Sequence, residues 1–376
     1  MKNAYNMNVL GLEPYYGGSH QAFLDGWVQH SQHTWKLLTL SASNWRWRMR
    51  HAPVTFSERV ATCRPQNATW DMVFCSDMLD LAQFVGLAPE IAHLPRILFF
   101  HENQLLYPTD DANSRDYHCA FTNFTSCLAA DSIWFNSAFH RNGFLNALRG
   151  FLRRMPNHRH LNRVDDIAAK SQVQSLGITP FERPSAVRRT GPMRIVWAAR
   201  WEFDKRPDLL FGALDQLMQR GIAFEISVLG GTDRQESAPL FQEARQRLGD
   251  RVQTWGFVDS NTAYASILGE ADVVLSSADH EFFGLSVVEA VAAGAYPVVP
   301  NQLAYPEVLC NLHHLPHAFH NNTLDDIAKK LCAVATELEN ETLWGTDRWA
   351  GCKAVDLYSW EQRAPALDAA LNAVKQ

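Results

Sequence analysis

Two glutamates, Glu281 and Glu289, stand eight positions apart with the Phe-Phe-Gly sequence 282–284 between them. Apolar, β-branched stretches on both sides predict two buried strands, so the segment between them forms a tight loop and then a helix that begins at about Leu285. Gly284 permits a sharp turn there, and the backbone amides of a helix start attract phosphate. Ionised carboxylates accept hydrogen bonds from hydroxyl groups, so the two glutamates are suited to sugars on either side of that phosphate. The alternative is an amphipathic helix that carries a solvated glutamate.

Two cations follow the first predicted strand of the carboxyl-terminal half. Arg200 and Lys205 are close enough in sequence to that strand end for both to reach a diphosphate at the helix start. A nucleoside diphosphate gains negative charge as its bond to a sugar breaks, and fixed cations stabilise that charge. The pattern therefore predicts transfer of a sugar from a nucleotide. Ordinary surface charges are the alternative reading.

A glycine turn lies near the amino terminus. Gly17 and Gly18 separate a predicted strand at 8–13 from a predicted helix at 21–30, an arrangement that lets a phosphate or substrate approach the backbone. The turn is not a G-x-G-x-x-G sequence, so a dinucleotide fingerprint is not supported.

Polar side chains follow two further predicted strands. The run 101–104 (HENQ) comes directly after a buried strand, and Asn136 and Ser137 end the next one along the chain. His101 can hydrogen-bond a sugar or phosphate, or exchange a proton near neutral pH. A loop histidine bonded to the backbone is the alternative.

Strands and helices alternate twice along the 376 residues, which predicts two α/β domains with parallel sheets. The predicted strands lie at 8–13, 35–40, 72–75, 96–101 and 132–136, and then at 194–199, 223–229, 252–257, 271–277 and 295–300. The proline-containing run 179–184 is the predicted linker. We therefore predict an acceptor-side domain at 1–180, a nucleotide-sugar domain at 181–356, and a terminal helix at 357–376 that packs on the first domain.

Composition limits the class of protein. The chain is 47% hydrophobic with a net charge of −6, and its seven cysteines include no C-x-x-C pair. Scattered cysteines favour reduced thiols, and the sequence shows neither a signal-peptide pattern nor a long apolar run. These features predict a cytoplasmic protein without stable membrane association and without a metal site.

Positive charge is concentrated in residues 141–194, where eleven Lys and Arg accompany three acidic residues, giving a local charge of +8. A second basic group is interleaved with tryptophans that could stack on bases: Arg46, Arg48, Arg50, Trp45 and Trp47. Basic patches with adjacent aromatic residues are typical of RNA-binding surfaces. A solvated basic face, or a patch for acidic small ligands, is the alternative.

The glutamate spacing and the pair formed by Arg200 and Lys205 resemble the donor site of GT-B glycosyltransferases of family 4. That resemblance implies an α/β GT-B fold, in which two Rossmann-like domains with parallel sheets face a central cleft. The amino-terminal half allows a narrower match. The segments 12–20 (LEPYYGGSH), 100–108 (FHENQLLYP) and 135–137 (FNS) are similar to the queuosine-tRNA mannosyltransferase family, whose members transfer mannose from GDP-mannose to queuosine in a tRNA anticodon.

The resemblance also implies roles for individual residues. Glu281 would contact hydroxyls of the donor sugar, Glu289 the ribose, and His101 the reacting region. Arg200 and Lys205 would bind the diphosphate. The remaining donor-binding residues would be Gly17, Gly18, Asn136, Ser137, Phe283, Gly284 and Leu285. Family 4 enzymes retain the anomeric configuration, use no catalytic metal or cofactor, and are thought to pass the acceptor proton to the phosphate of the donor.

Two other functions remain compatible with these residues. The same transfer could act on a lipid, a glycan or a small metabolite, with the basic segment serving another purpose. The protein could also be a nucleotide-sugar epimerase, with His101 and Glu102 as its acid and base, or a nucleotide-sugar-binding protein without turnover.

Overall fold

The computed structural model describes residues 6–62, 69–108, 117–179, 191–231, 238–347 and 349–375. The chain forms two compact units, the first from Met1–Gly177 with Trp360–Gln376 and the second from Ile178–Ser359. Of the predicted linker at 179–184, all but Thr179 lies outside the described residues.

The first unit contains a sheet of six parallel strands in the order β2-β1-β3-β4-β5-β6. Its strands are β1 (Asn8–Tyr16), β2 (Thr34–Ser41), β3 (Met72–Ser76), β4 (Arg96–Phe100), β5 (Ser132–Phe135) and β6 (Ser171–Val173). Its helices are α1 (Gly18–His30), α2 (Trp45–Thr62), α3 (Leu81–Leu87), α4 (Tyr117–Ala129), α5 (Ala138–Arg153), α6 (Asn162–Ala169) and the carboxyl-terminal α14 (Trp360–Lys375). Strands β3, β4 and β5 read as apolar runs because both faces of a parallel sheet are covered by helices.

Helix α14 is part of the first unit because its side chains complete the core there. The indole of Trp360 fits against two glycines, and a Cβ added to Gly26 or Gly177 would come within 2.2 or 2.4 Å of that ring. Asp368 accepts hydrogen bonds from Trp27 Nε1 at 2.9 Å and from Ser31 Oγ at 2.8 Å. These contacts join the last helix to α1.

The second unit repeats the design with the order β12-β11-β10-β7-β8-β9, again with parallel neighbours. Its strands are β7 (Met193–Ala198), β8 (Phe224–Leu229), β9 (Val252–Gly256), β10 (Val273–Leu275), β11 (Tyr296–Pro300) and β12 (Phe319–His320). Its helices are α7 (Pro207–Gln219), α8 (Pro239–Leu248), α9 (Asn261–Glu270), α10 (Leu285–Ala292), α11 (Tyr305–Val308), α12 (Leu324–Glu339) and α13 (Ala350–Val355).

Each sheet has one point at which the order of strands reverses direction. In the first unit β1 lies between β2 and β3, and in the second unit β7 lies between β8 and β10. Ligands of open α/β sheets bind outside the carboxyl ends of the strands at such points. The loops that follow β1 and β3, and those that follow β7 and β10, are therefore the places where sites are expected.

Two general properties of the chain can be stated for its described part. None of the described helices has the length and apolar character needed to cross a membrane. The described cysteines are not joined by disulfide bonds, and Cys63 lies outside the described residues.

Candidate active site

The helix start in the second unit is formed by Gly284. This residue has a left-handed backbone with φ of 84°, and α10 begins at the next residue, as predicted. A Cβ at position 284 would lie 2.6 Å from Cε1 of Tyr305. Ser286 Oγ donates to the carbonyl of Ala198 at 2.6 Å and so fixes the first turn of α10 to the end of β7. The helix start is thus held at the reversal point of the sheet.

Lys205 is buried beside this loop, with 8% of its side chain exposed. Its Nζ donates to the carbonyl of His280 at 2.6 Å and lies 3.2 Å from Asp204 Oδ2 and 3.4 Å from Glu281 Oε2. A lysine restrained by three oxygens is positioned before any ligand arrives. The structure therefore brings together Lys205 and Glu281, which the sequence placed 76 positions apart.

Glu281 also caps its own loop. Its Oε1 accepts hydrogen bonds from the backbone amides of Phe282 at 3.1 Å and Phe283 at 3.4 Å. Burial favours the neutral acid, but Lys205 and the loop amides outweigh burial and lower the pKa of Glu281. The carboxyl group is therefore ionised at neutral pH. The ring of Phe283 is buried against Tyr358, so a donor would meet Phe283 through its backbone.

Arg200 behaves differently from Lys205. Half of its side chain is exposed, and its guanidinium lies 3.6 Å from the carboxylate of Glu202. It stands at the carboxyl end of β7, close enough to the loop beside Lys205 for its charge to add to the effect of burial in lowering the pKa of His280. Its contact with a diphosphate stays a prediction.

Glu289 lies one turn into α10 and bonds to a tyrosine from α9. The hydroxyl of Tyr264 donates to Glu289 Oε2 at 2.9 Å. Burial raises the pKa of Glu289 to about 7, and the tyrosine hydrogen bond opposes only part of that rise. Near neutral pH this carboxyl group is therefore about half protonated. A ligand hydroxyl that donates to it would stabilise the ionised form, which is the better acceptor.

This pKa predicts a pH dependence of stability. The folded state holds the proton of Glu289 more tightly than the unfolded state, so the free energy of unfolding should fall as pH rises from about 4.5 to about 7. We expect Glu289→Gln to remove on the order of 2 kcal/mol of this decline. Urea unfolding at pH 5 and pH 8 measures it. Exposed Glu243→Gln is the control, and an equal decline in wild type and Glu289→Gln would contradict the assignment.

In the first unit, a buried glutamate closes the glycine turn. Glu13 is 1% exposed, and its Oε1 accepts from Ser76 Oγ at 2.9 Å and from the amide of Tyr15 at 2.8 Å. Its Oε2 lies 3.2 Å from Nδ1 of His20. The turn that carries Gly17 and Gly18 is therefore clamped at both ends. Gly18 has φ of 54°, a left-handed conformation that favours glycine.

His101 lies beside this clamp at the end of β4 and is 8% exposed. Its ring stacks on the ring of His20 with centroids 4.0 Å apart, and its amide donates to Asp77 Oδ1 at 2.9 Å. Burial and the neighbouring His20 and His140 hold the pKa of His101 well below its ordinary value. The imidazole is therefore neutral at physiological pH.

Asn136 and Ser137 support this region from β5 and α5. Asn136 Nδ2 donates to the carbonyl of His101 at 3.0 Å, and its Oδ1 lies 2.8 Å from His140 Nδ1. Ser137 caps α5 by accepting the amide of His140 at 3.0 Å. Both side chains are buried and bond within the protein. Contact between either residue and a donor stays a prediction.

Three of these residues carry atoms that metals can bind. Ligand atoms of Glu13, His20 and His101 lie within 4.8 Å of one another. A histidine binds a metal through a lone pair in the plane of its ring, whereas these two rings stack with 27° between their planes. They could not both point at one ion without rotation of a ring, so the arrangement is that of an ion pair and a stack.

The basic segment 141–194 is divided in the structure. Arg149 and Arg163 form ion pairs of 2.8 and 3.0 Å with nearby aspartates, and Arg194 lies in β7 of the second unit, 3.0 Å from Asp272. Three further arginines, at 183, 188 and 189, lie outside the described residues. The basic residues that give the local charge of +8 therefore do not form one continuous surface among the described residues.

Several residues of the two sites were not singled out from the sequence. Asp204, His280 and Tyr264 contact the predicted residues from neighbouring elements, and Glu13 and His20 do so in the first unit. The only sequence signal was an acidic residue at the end of an otherwise apolar strand, as at Glu13. A charged residue in such a place needs a partner.

Comparison with known proteins defines the class. Residues 178–340 match the family described as glycosyl transferases group 1. The structure is similar to sucrose-phosphate synthase from Thermosynechococcus elongatus, with a TM-score of 0.69 and 14% identity over 98% of this chain and 99% of that one. It is also similar to a glycosyltransferase from Rickettsia africae, with a TM-score of 0.68 and 14% identity over 98% of each chain. The chain is a glycosyltransferase of the GT-B fold, and the predicted fold class is confirmed.

The family follows from the other half of the chain. Residues 8–178 match the family described as tRNA-queuosine alpha-mannosyltransferase N-terminal. A tRNA-queuosine alpha-mannosyltransferase from Drosophila melanogaster is 33% identical over 335 residues, which cover 86% of this chain and 86% of that protein. The chain belongs to the tRNA-queuosine alpha-mannosyltransferase family. A GDP-mannose-dependent alpha-(1-6)-phosphatidylinositol dimannoside mannosyltransferase from Mycobacterium tuberculosis is 24% identical over 180 residues, 48% of this chain and 44% of that protein.

Proposed function

We propose that this enzyme transfers mannose from GDP-mannose to the queuosine of a tRNA, with retention of anomeric configuration. The observation that carries the proposal is the 33% identity to the Drosophila tRNA-queuosine alpha-mannosyltransferase over 86% of both chains. GDP-mannose is supported by the Mycobacterium relative, which is GDP-mannose-dependent and whose similarity spans about half of this chain. A tRNA acceptor also suits the cytoplasmic location that the sequence predicts.

In the second unit, the donor phosphates would lie at the start of α10. Lys205 supplies a restrained positive charge there, and the turn at Gly284 leads directly into the first residues of α10, whose amides would bind the phosphates. Glu281, ionised and fixed by its own loop, would accept hydrogen bonds from mannose hydroxyls. Glu289 would accept from the ribose. Arg200, exposed at the end of β7, would close on the diphosphate from the solvent side.

The transfer breaks the bond between the anomeric carbon of mannose and the β-phosphate oxygen of GDP. The same carbon forms a bond to a hydroxyl of the queuosine cyclopentenediol, and the hydroxyl proton passes to the departing phosphate. The charge that develops on GDP is stabilised by Lys205 and by the amides at the start of α10. This scheme requires neither a side-chain base nor a metal ion, and neutral His101 would orient hydroxyl groups of the reacting sugar or acceptor.

Product analysis tests the proposal directly. Queuosine-containing tRNA is incubated with GDP-mannose, digested to nucleosides and analysed by mass spectrometry, with UDP-galactose and UDP-glucose as alternative donors. We expect queuosine to gain one hexose only with GDP-mannose, and that hexose to be released by an α-mannosidase. The same tRNA without queuosine is the control. Transfer to a lipid extract instead, or epimerisation of the donor alone, would identify one of the other functions.

A basic and aromatic surface on α2 is the proposed tRNA contact within the first unit. The indole of Trp47 is 63% exposed, and the guanidinium of Arg46 lies 5.1 Å from the ring centroid of Trp45. Arg50 is exposed one turn further along the helix. The guanidinium of Arg48 donates to the carbonyl of Ser41 at 3.0 Å and to the hydroxyl of Ser41 at 2.9 Å. The side chain of Arg48 is therefore fixed at this surface.

Neutralising this surface should weaken tRNA binding in a salt-dependent way. Because each lost phosphate contact lowers the slope of log affinity against log salt by about one, Arg46→Gln with Arg50→Gln should lower it by about two. Filter binding between 50 and 200 mM salt, a range over which about six contacts change affinity by about a thousandfold, measures the slope. Arg247→Gln, which removes an exposed cation from the second unit, is the control. Equal slopes in all three proteins would exclude α2 as the contact.

A further inference from the structure

Beneath the glycine turn of the first unit lies a buried pair, Glu13 and His20, that the proposed reaction does not use. His20 is the third residue of α1, and it is 6% exposed. A positive charge in the first turn opposes the helix dipole, so an imidazolium there needs a compensating anion. Glu13, 3.2 Å away in the second half of β1, is that anion.

The pair contacts both parts of the predicted site in this unit. Glu13 accepts a hydrogen bond from the amide of Tyr15, which precedes the two glycines. Glu13 also holds the ring of His20, which follows them. The ring of His20 also covers one face of His101 with centroids 4.0 Å apart. The rings of Phe23 and Phe99 lie against the imidazole of His101, with centroid distances of 5.3 and 4.7 Å. His101 therefore cannot turn unless His20 moves.

We propose that His20, held by Glu13, is a positioning residue that fixes the glycine turn and the ring of His101 in one arrangement. The proposal rests on the proposed function for the reaction that these parts serve. It adds that the protonation state of buried His20 sets the position of both the glycine turn and the ring of His101. His20 itself need not contact a ligand.

The charge of His20 is the variable that sets this arrangement. Burial lowers the pKa of His20, but Glu13 outweighs burial and raises it to about 9. Asp77 and Glu102 also raise the pKa of His20. The other titratable side chains that face His20 are those of His101 and Tyr15. Burial raises the pKa of Asp77 itself to about 8. The clamp should thus be intact at neutral pH and weaken as pH rises through 9.

Two substitutions separate the parts of the proposal. His20→Asn keeps a donor for Glu13 and removes the ring, whereas His20→Phe keeps the ring and removes the donor and the charge. We expect each to lower kcat by about tenfold to a hundredfold, since a misplaced group costs about that much. We expect the fall of wild-type kcat above pH 9 to be absent in His20→Asn. Exposed His30→Asn, from the same helix, should behave as wild type.

A measurement without substrate keeps this test independent of the proposed reaction. In protein labelled with 15N-histidine, we expect one imidazole to titrate near pH 9 and to disappear in His20→Asn, while the His101 signals shift in that variant. If wild type transfers no mannose but these signals behave as stated, the reaction is wrong and the clamp stands. A neutral His20 at pH 7, or unchanged kcat in both variants, would overturn the clamp.

Discussion

Enzyme carrying Lys205→Met is expected to lose a hundredfold or more in kcat while its tRNA affinity is unchanged. Removal of one group that stabilises developing charge typically costs about a hundredfold to a thousandfold. Lys205 meets the conditions for a large effect, because its Nζ is buried and held 3.2 Å from Asp204 and 3.4 Å from Glu281. A restrained cation of this kind needs no reorganisation when the leaving diphosphate gains charge.

The same substitution should also affect stability, and that effect has to be separated from catalysis. Without Lys205, the carboxylates of Asp204 and Glu281 lose their shared cation, and the pKa of Glu281 should rise toward its ordinary value or above. Thermal unfolding therefore accompanies the kinetic assay, with Lys205→Arg as a variant that keeps the charge. Arg247→Met, which breaks an exposed pair with Asp215, is the matched control. Normal kcat in folded Lys205→Met would remove Lys205 from the site.

Gly284→Ala is expected to weaken donor binding by about tenfold or more and to destabilise the second unit by about 2 to 5 kcal/mol. A left-handed backbone costs a non-glycine residue roughly 1 to 2 kcal/mol, and insertion into a packed site typically costs about 1 to 3 kcal/mol. Both apply here, since φ is 84° and the new Cβ would lie 2.6 Å from the ring of Tyr305. The turn would have to shift, and the amides of α10 would move with it.

Gly221→Ala isolates the contribution of the ring contact. Gly221 follows α7 with φ of 71°, and a Cβ there would meet nothing within 4 Å. It should show the backbone effect alone and bind GDP-mannose normally in isothermal titration. Tyr305→Phe, which keeps the ring and removes its 2.7 Å hydrogen bond to Ser276, tests whether the hydroxyl matters separately. Tight donor binding by Gly284→Ala would contradict the role of the turn.

The parallel sheets were predictable because their strands are apolar on both faces. The ten strands predicted from the sequence all occur, and β10 is shorter than expected at Val273–Leu275. The sequence missed β6 and β12, which have three and two residues and carry polar side chains. It also missed helix α2, because Pro53 lies inside it and four arginines obscure its apolar side.

The site was predictable only where a backbone rule applied. Gly284 before an apolar helix indicated a sharp turn, and the structure has a turn there with a left-handed backbone. The residues that hold the functional groups lie far away in sequence, as Asp204 and His280 do from each other, and meet only after folding. The burial of Lys205 likewise results from tertiary packing, since nothing in the neighbouring sequence distinguishes Lys205 from exposed Arg200.

The division of the chain has a consequence for biosynthesis. Ile178–Ser359 is continuous, whereas the first unit also requires Trp360–Gln376, which is translated after the whole of the second unit. The second sheet can therefore finish folding while the first still lacks the indole that fits against Gly26 and the carboxylate that binds Trp27. Nascent chains stalled before residue 360 should expose a partly formed first unit to proteases and chaperones, although most of that unit is translated before the second.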